Sequence, residues 1–453
     1  MISDKNIYLP DYLTIIAIFI SIILFFEENQ TITNVYLLPL GYGVSMQIVK
    51  SCYRTHNGIA LILFEIIKAC RYLILPIMIG LEKNFTGVNI SPINNEPAVY
   101  LMFYELVCVS LMLRFVCPSL GKYTTIASKN FSSSTFDFCL IVFFLLIVAP
   151  AYENNLFNFS IEYVDVEYRT DKAKISGLLK LFYTIGIVTL LCNMVNYIRK
   201  LFSNQKIAIF LSLIVCLAYI SCSWSDGMSV SRWGLVTSSI SAMLVLVYFY
   251  PQYKKGINAT FLILILVFII VGSLLKTKAF GWSDYTLLDS TSFYFSSQMF
   301  DEYFEGVRSV SNGIYVASIS PDRGLDGILL DWFNSFPLLM KSIGLSGAKV
   351  ATDYYHMFSG HYDLIMPTIS MCYMQFGSVL SPLYSVLCIY FAFYFNNKMN
   401  EADNIIYKLF CFIVTFWFAI FMAVSPNIID PHLWAPLLGM CIFRFRKIGF
   451  RKS

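Results

Sequence analysis

Two of the four histidines in the chain, His356 and His361, stand five residues apart in Asp353-Tyr-Tyr-His-Met-Phe-Ser-Gly-His-Tyr-Asp363. A histidine beside a carboxylate can take a proton from a hydroxyl near neutral pH, so the pair is a candidate acid/base. Solvated loop histidines read the same letters equally well. A spacing of five, broken by Gly360, does not put both imidazoles on one helical face, and a metal centre fits poorly. Three arginines are candidates for gripping phosphate, because the planar guanidinium pairs with two oxygens at once. Arg232 opens an apolar run in Ser229-Val230-Ser231-Arg232-Trp233-Gly234, and Arg308 and Arg323 follow in the next long loop. Snorkelling at a helix end accounts for Arg232 alone, although Ser231 and Gly234 leave room for a bulky group to reach it. Solvation accounts for Arg308.

Other charges lie inside apolar runs, where each is expensive and a functional candidate by default. One run reads Phe64-Glu65-Ile66-Ile67-Lys68-Ala69-Cys70-Arg71, and the next holds Glu105 and ends at Arg114. Antiparallel depth sets Arg71 level with Glu105 and Glu65 level with Arg114. Glu65 and Lys68 are also neighbours on one helix. Register-fixing ion pairs are the favoured reading. The alternative is that Arg71 or Lys68 lines a path for an anionic lipid head. Asp165-Val166-Glu167 reads as a solvated acidic cluster. No Walker loop, GxGxxG, HExxH or CxxC pair occurs, so ATP hydrolysis, dinucleotide chemistry and a zinc site have no support.

These residues need elements to hold them, and the composition says what kind. The 453 residues are 57% hydrophobic, 17% aromatic and 13% charged, about half the charge of a soluble domain. Mean hydropathy is +0.66. A soluble enzyme, a disordered chain and a nucleic-acid binder are excluded; no nucleic acid is expected as a partner. A spanning helix needs about 20 apolar residues. Twelve candidates lie near 11–27, 34–51, 59–80, 98–116, 136–151, 175–197, 207–223, 232–250, 258–275, 379–396, 405–424 and 431–444. The expected fold is thus an all-α polytopic integral membrane protein with about 12 transmembrane helices and one large loop carrying short helices. Short-loop Lys and Arg, including Arg199, Lys200, Lys254, Lys255, Lys398 and the basic tail, put both termini in the cytoplasm. The first run lacks a small-residue cleavage site after it and is expected to remain a span. Most of the twelve cysteines fall within spans and read as small hydrophobes rather than a disulfide framework.

The chain divides into nine spans over 1–275, a large outer loop over 276–360, a re-entrant or broken helix over 361–378, and three spans with a basic tail over 379–453. The outer loop is rich in aromatics, Trp282, Tyr315, Trp332, Tyr354 and Tyr355 among them. Two helices are expected in it, one from near Ser290 towards Val310 and one from Pro321-Asp322 to about Met340. Most of the rings are expected as interfacial belt and local core. A few exposed ones can stack on sugars.

After His361 the chain reads Met366-Pro367-Thr368-Ile369-Ser370-Met371-Cys372-Tyr373-Met374-Gln375-Phe376-Gly377. This resembles the Pro-Thr…Tyr-x-x-Phe-Gly signature of the O-antigen and oligosaccharide repeat-unit polymerases, the Wzy type. Ser231-Arg232-Trp233-Gly234 is similar to that family's Ser-Arg-Gly turn, and the order of spans, large loop and final spans matches. Many relatives carry Gly-Glu where this chain has Ser370-Met371, so a proton-handling role would fall to His361, Asp363 or no side chain.

The resemblance implies an enzyme of the bacterial inner membrane with its active site on the periplasmic face. It would polymerise undecaprenyl-diphosphate-linked oligosaccharide into surface polysaccharide such as the O-antigen of lipopolysaccharide. Membrane lipids and a chain-length regulator protein are the other partners implied. No cofactor and no metal are expected, and diphosphate is already a good leaving group, so no general acid is required. In that chemistry Arg232 and Arg323, with Arg308, bind the donor diphosphate, and charge building on it is stabilised by fixed guanidiniums. His361 activates the acceptor hydroxyl, oriented by Asp363 or His356, and Tyr355 and Tyr373 join the substrate-binding set. An O-antigen ligase on the same scaffold and a non-enzymatic flippase or transporter are the competing readings.

Overall fold

The computed structural model describes residues 9–27, 32–55, 58–82, 94–116, 135–153, 176–223, 232–279, 296–321, 323–335, 337–345, 347–359 and 365–449. Among them every regular element is helical. In chain order the first are α1 (Leu9–Phe26), α2 (Leu37–Ile48), α3 (Lys50–Thr55), α4 (Ile59–Ala69), α5 (Leu75–Leu81), α6 (Asn95–Val116), α7 (Thr135–Glu153), α8 (Ser176–Leu201), α9 (Gln205–Ser223), α10 (Arg232–Phe249) and α11 (Lys254–Ala279). The long loop contributes α12 (Ser297–Tyr303), α13 (Val307–Ile319), α14 (Gly324–Phe333), α15 (Pro337–Ser342) and α16 (Ala351–Ser359). Then come α17 (Thr368–Leu380), α18 (Leu383–Glu401), α19 (Ile405–Ala419) and α20 (Pro426–Gly449).

The chain forms two compact units. One comprises Met1–Tyr123, Ser292–Asn397 and Thr415–His432; the other comprises Thr124–Thr291, Lys398–Val414 and Leu433–Ser453. In the first unit α1 lies on α2 and α2 on α6. A π-helical turn, Cys70–Ile74, joins α4 to α5. Pro76 explains it, because its missing N–H cannot bond the carbonyl four residues back and the wider turn absorbs the gap. Helix α13 packs against α6, α16 and α17 and is buried throughout Val307–Ile314. The loop therefore supplies a core helix, made possible by the small residues Ser309, Ser311 and Gly313 distributed around it. A Cβ at Gly313 would collide with the Ser370 side chain. The second unit packs α7 on α8, α8 on α9, α9 on α10 and α10 on α11. Its outer faces stay apolar, with Leu262, Ile263, Leu266 and Ile270 all exposed. Such faces suit a helix surrounded by hydrocarbon.

Among the described residues five helices are long and apolar enough to cross a membrane: Leu9–Phe26, Asn95–Val116, Lys180–Leu201, Gln205–Ser223 and Pro251–Ile270. A sixth is the pair α17–α18, bent by 109°. The twelve expected runs shrink for local reasons. Helix α2 has only 12 residues and ends where Val49 leaves helical geometry, the π turn divides the third run, and α19 stops at Ala419. The two loop helices also differ from expectation. The first begins at Ser297, capped by the Ser296 hydroxyl, which accepts from Met299 N at 3.3 Å. It ends at a turn where Glu305 adopts φ +48°. Pro337 divides the second stretch into α14 and α15.

Candidate functional site

The densest polar cluster of the first unit is buried, and the charges inside apolar runs are at its centre. Arg71, in the π turn, lies 3.0 Å from Glu105 Oε2 on α6, and both side chains are wholly buried. Glu105 Oε2 also accepts from Tyr72 OH at 3.2 Å, and its Oε1 accepts from Ser385 Oγ on α18. The N–H directions of Arg71 do not align with any acceptor among the described residues, so the guanidinium is held by charge and by the Tyr72 ring, 5.4 Å away. Glu65 pairs with Lys68 at 2.6 Å on its own helix rather than with Arg114, which is exposed.

The loop brings two further carboxylates to this cluster. Asp301, at the end of α12, caps the start of α13. Its carboxylate accepts from Arg308 N at 3.1 Å, Ser309 N at 2.9 Å and Ser309 Oγ at 3.0 Å. Burial still pushes it above the usual carboxylate range, against the pull of the Arg308 charge and those bonds. Glu305 Oε2 accepts from Thr368 N at 3.0 Å, the first helical N–H of α17, while its Oε1 has no hydrogen-bond partner among the described residues. Burial pushes this carboxyl up to about 8, opposed by Arg71 and by the Thr368 N–H. Thr368 Oγ1 lies 2.9 Å from Phe421 O and 3.1 Å from Val424 O, and Ser370 Oγ donates to Val310 O at 3.4 Å. The Pro367–Gly377 stretch is thus tied to the α12–α13 turn on one side and to the end of α19 on the other. Gly377 adopts φ +71°, the left-handed region that glycine enters without penalty.

A second cluster holds Arg323. Both its Nη1 and Nη2 donate to Asp331 Oδ1 at 3.1 Å, and its side chain is 6% exposed. Asp331 Oδ2 accepts from Gln375 Nε2 on α17 at 3.2 Å. Burial pushes Asp331 up to about 6, with Arg323 and Gln375 holding it back. The Tyr354 ring lies 6.0 Å from the guanidinium carbon.

Of the residues singled out from the sequence, Arg323 thus sits in an ion-paired cluster under the loop helices, and Arg308, only 4% exposed, bonds Asp301 through its backbone N–H. Tyr355 is fully buried against Val316, Met366, Met371 and Tyr384, and its hydroxyl donates to Ser309 O at 3.3 Å. Its ring is core, unavailable to stack on a sugar. His356 is half-buried on α16, and Tyr373 half-buried on α17. Arg232 is the first residue of α10, in the second unit, but its side chain lies outside the described residues, as do His361 and Asp363. Among the described residues no three of His, Cys, Asp and Glu converge as metal ligands, and eleven cysteines are free. Sequence reasoning missed Asp301, Glu305 and Asp331. No local signal marked them, because Asp301 bonds the start of α13 and Glu305 the start of α17. No family model matches the chain, and neither a curated protein nor a solved structure does.

Proposed function

We propose that this chain is an inner-membrane glycosyltransferase that polymerises undecaprenyl-diphosphate-linked oligosaccharide units, in the manner of the Wzy-type enzymes it resembles. The observation that carries the reading is the tie between Thr368 and Ser370, of the family-like motif, and Glu305 and Val310 of the long loop. Motif and loop act as one structural body, with a broken helix beneath it of the kind that lines a cavity. In this reading both termini face the cytoplasm and the loop faces the periplasm.

The acceptor hydroxyl attacks the anomeric carbon of the growing glycan, and the bond to the lipid diphosphate breaks with its electrons leaving on the diphosphate. Arg323, already oriented by Asp331, stabilises that charge. His361, beside Asp363 or His356, takes the hydroxyl proton. Arg308, turned into the capped start of α13, positions the loop. Arg232→Ala abolishes polymerisation in cells while the protein still inserts; long chains made by that variant overturn the arginine assignment.

The buried Arg71–Glu105–Glu305 group and the broken helix also favour a second reading, a transporter of lipid-linked units, since transporters concentrate charges and interrupted helices inside the bundle. Elongated product from purified protein in detergent supports the enzyme. Movement of the lipid across sealed vesicles without elongation supports the transporter. Long glycan left on the carrier lipid in a deletion strain points to a ligase.

A further inference from the structure

In the second unit, the turn between α18 and α19 and the last turns of α20 enclose a cavity of about 220 Å³ lined by Lys398, Glu401, Asp403, Asn404, Tyr407 and Arg444. The turn has a fixed shape. Asn404 Oδ1 accepts from Ile406 N at 2.8 Å and caps α19, and Tyr248 OH donates to Asp403 O at 3.4 Å. Helices α18 and α19 are apolar, so the cavity opens where an apolar layer ends. Its walls carry two cations and two carboxylates. A lone anion would meet both carboxylates, and a lone cation would meet both Lys398 and Arg444. A ligand with a phosphate and an ammonium a few bonds apart satisfies all four. Lys398 and Glu401 are 3.0 Å apart with side chains 38% and 62% exposed, a solvent-screened pair that exchanges partners at little cost. Tyr407 adds a ring of the amphipathic kind found at membrane interfaces.

We infer that this cavity binds the headgroup of an aminophospholipid, phosphatidylethanolamine in type, with phosphate on Lys398 and Arg444 and ammonium on Glu401 and Asp403. The inference needs the membrane location but not the polymerase reading, and its test involves no glycan.

The test is native mass spectrometry of the full-length protein, delipidated and then offered equimolar phosphatidylethanolamine and phosphatidylglycerol. The expected result is retention of phosphatidylethanolamine over phosphatidylglycerol by about fivefold, the worth of two half-exposed charge contacts. Glu401→Gln with Asp403→Asn removes the ammonium contacts, keeps the phosphate contacts and reverses the preference. Glu401→Gln alone, at an exposed position that does not endanger folding, halves it or more. Equal retention of both lipids by the native protein overturns the inference. So does binding of soluble glycerophosphoethanolamine as tightly as the whole lipid, which would make the ligand a free metabolite.

Discussion

Glu305→Gln separates the charge of the buried carboxyl from its shape. Glutamine keeps an oxygen for Thr368 N and loses the ability to ionise. The carboxyl sits at about 8 in the folded chain against 4.5 when free. A group raised on folding stabilises fully below its free value and loses that stabilisation as pH climbs to the folded value. At about 1.4 kcal/mol per pH unit, the loss is roughly 5 kcal/mol in all. Asp331, raised from 3.8 to about 6, contributes its own loss at lower pH, so the clean window runs from about pH 6.5 to 8 and holds about 2 kcal/mol. The groups facing Glu305 are Arg71 and Tyr72 from the π turn, Glu105 from α6, Tyr355 from α16 and Cys388 from α18. Measured as the thermal midpoint of purified protein in detergent, the native chain loses stability across that window while Glu305→Gln stays level. The variant is the more stable of the two above pH 8. Parallel curves for the two proteins would show that Glu305 is already ionised at neutral pH and refute the reasoning.

Two further substitutions probe the packing. Arg71→Met leaves Glu105 buried without its countercharge and costs roughly 3–5 kcal/mol; adding Glu105→Leu returns most of that loss in the same thermal assay, and no recovery would mean the pair does more than fix register. Gly313→Ala drives a methyl into Ser370 and costs about 1–3 kcal/mol, relieved by Ser370→Gly if the α13–α17 contact is the cause.

The helical, membrane-type character was legible because it rests on composition and on runs such as Leu9–Phe26, which no tertiary context can reverse. The Arg71–Glu105 pair was legible from depth, since adjacent antiparallel helices place equal distances from their shared turn side by side. The number of spanning helices was not, because hydropathy counts Pro76 as part of an apolar run while the backbone answers to the missing N–H. Burial of α13 was also hidden. Its Ser309, Ser311 and Gly313 look like a loop to a hydrophobicity count, but small residues are what lets one helix approach another closely. Asp301 and Glu305 escaped notice because their meaning lies in Ser309 and Thr368, eight and sixty-three residues away. Arg308 and Arg323 stood out as cations; that Arg308 would be buried and Arg323 turned onto Asp331 depended on how the loop folds.

The central claim is that this chain joins lipid-linked sugar units. The direct measurement is to incubate the purified protein in detergent with undecaprenyl-diphosphate-linked repeat units and resolve the products by length. A ladder of lipid-linked chains that grows with time is expected, with undecaprenyl diphosphate released in step with each addition, and neither with Arg232→Ala. Unchanged single units from well-folded native protein would contradict it.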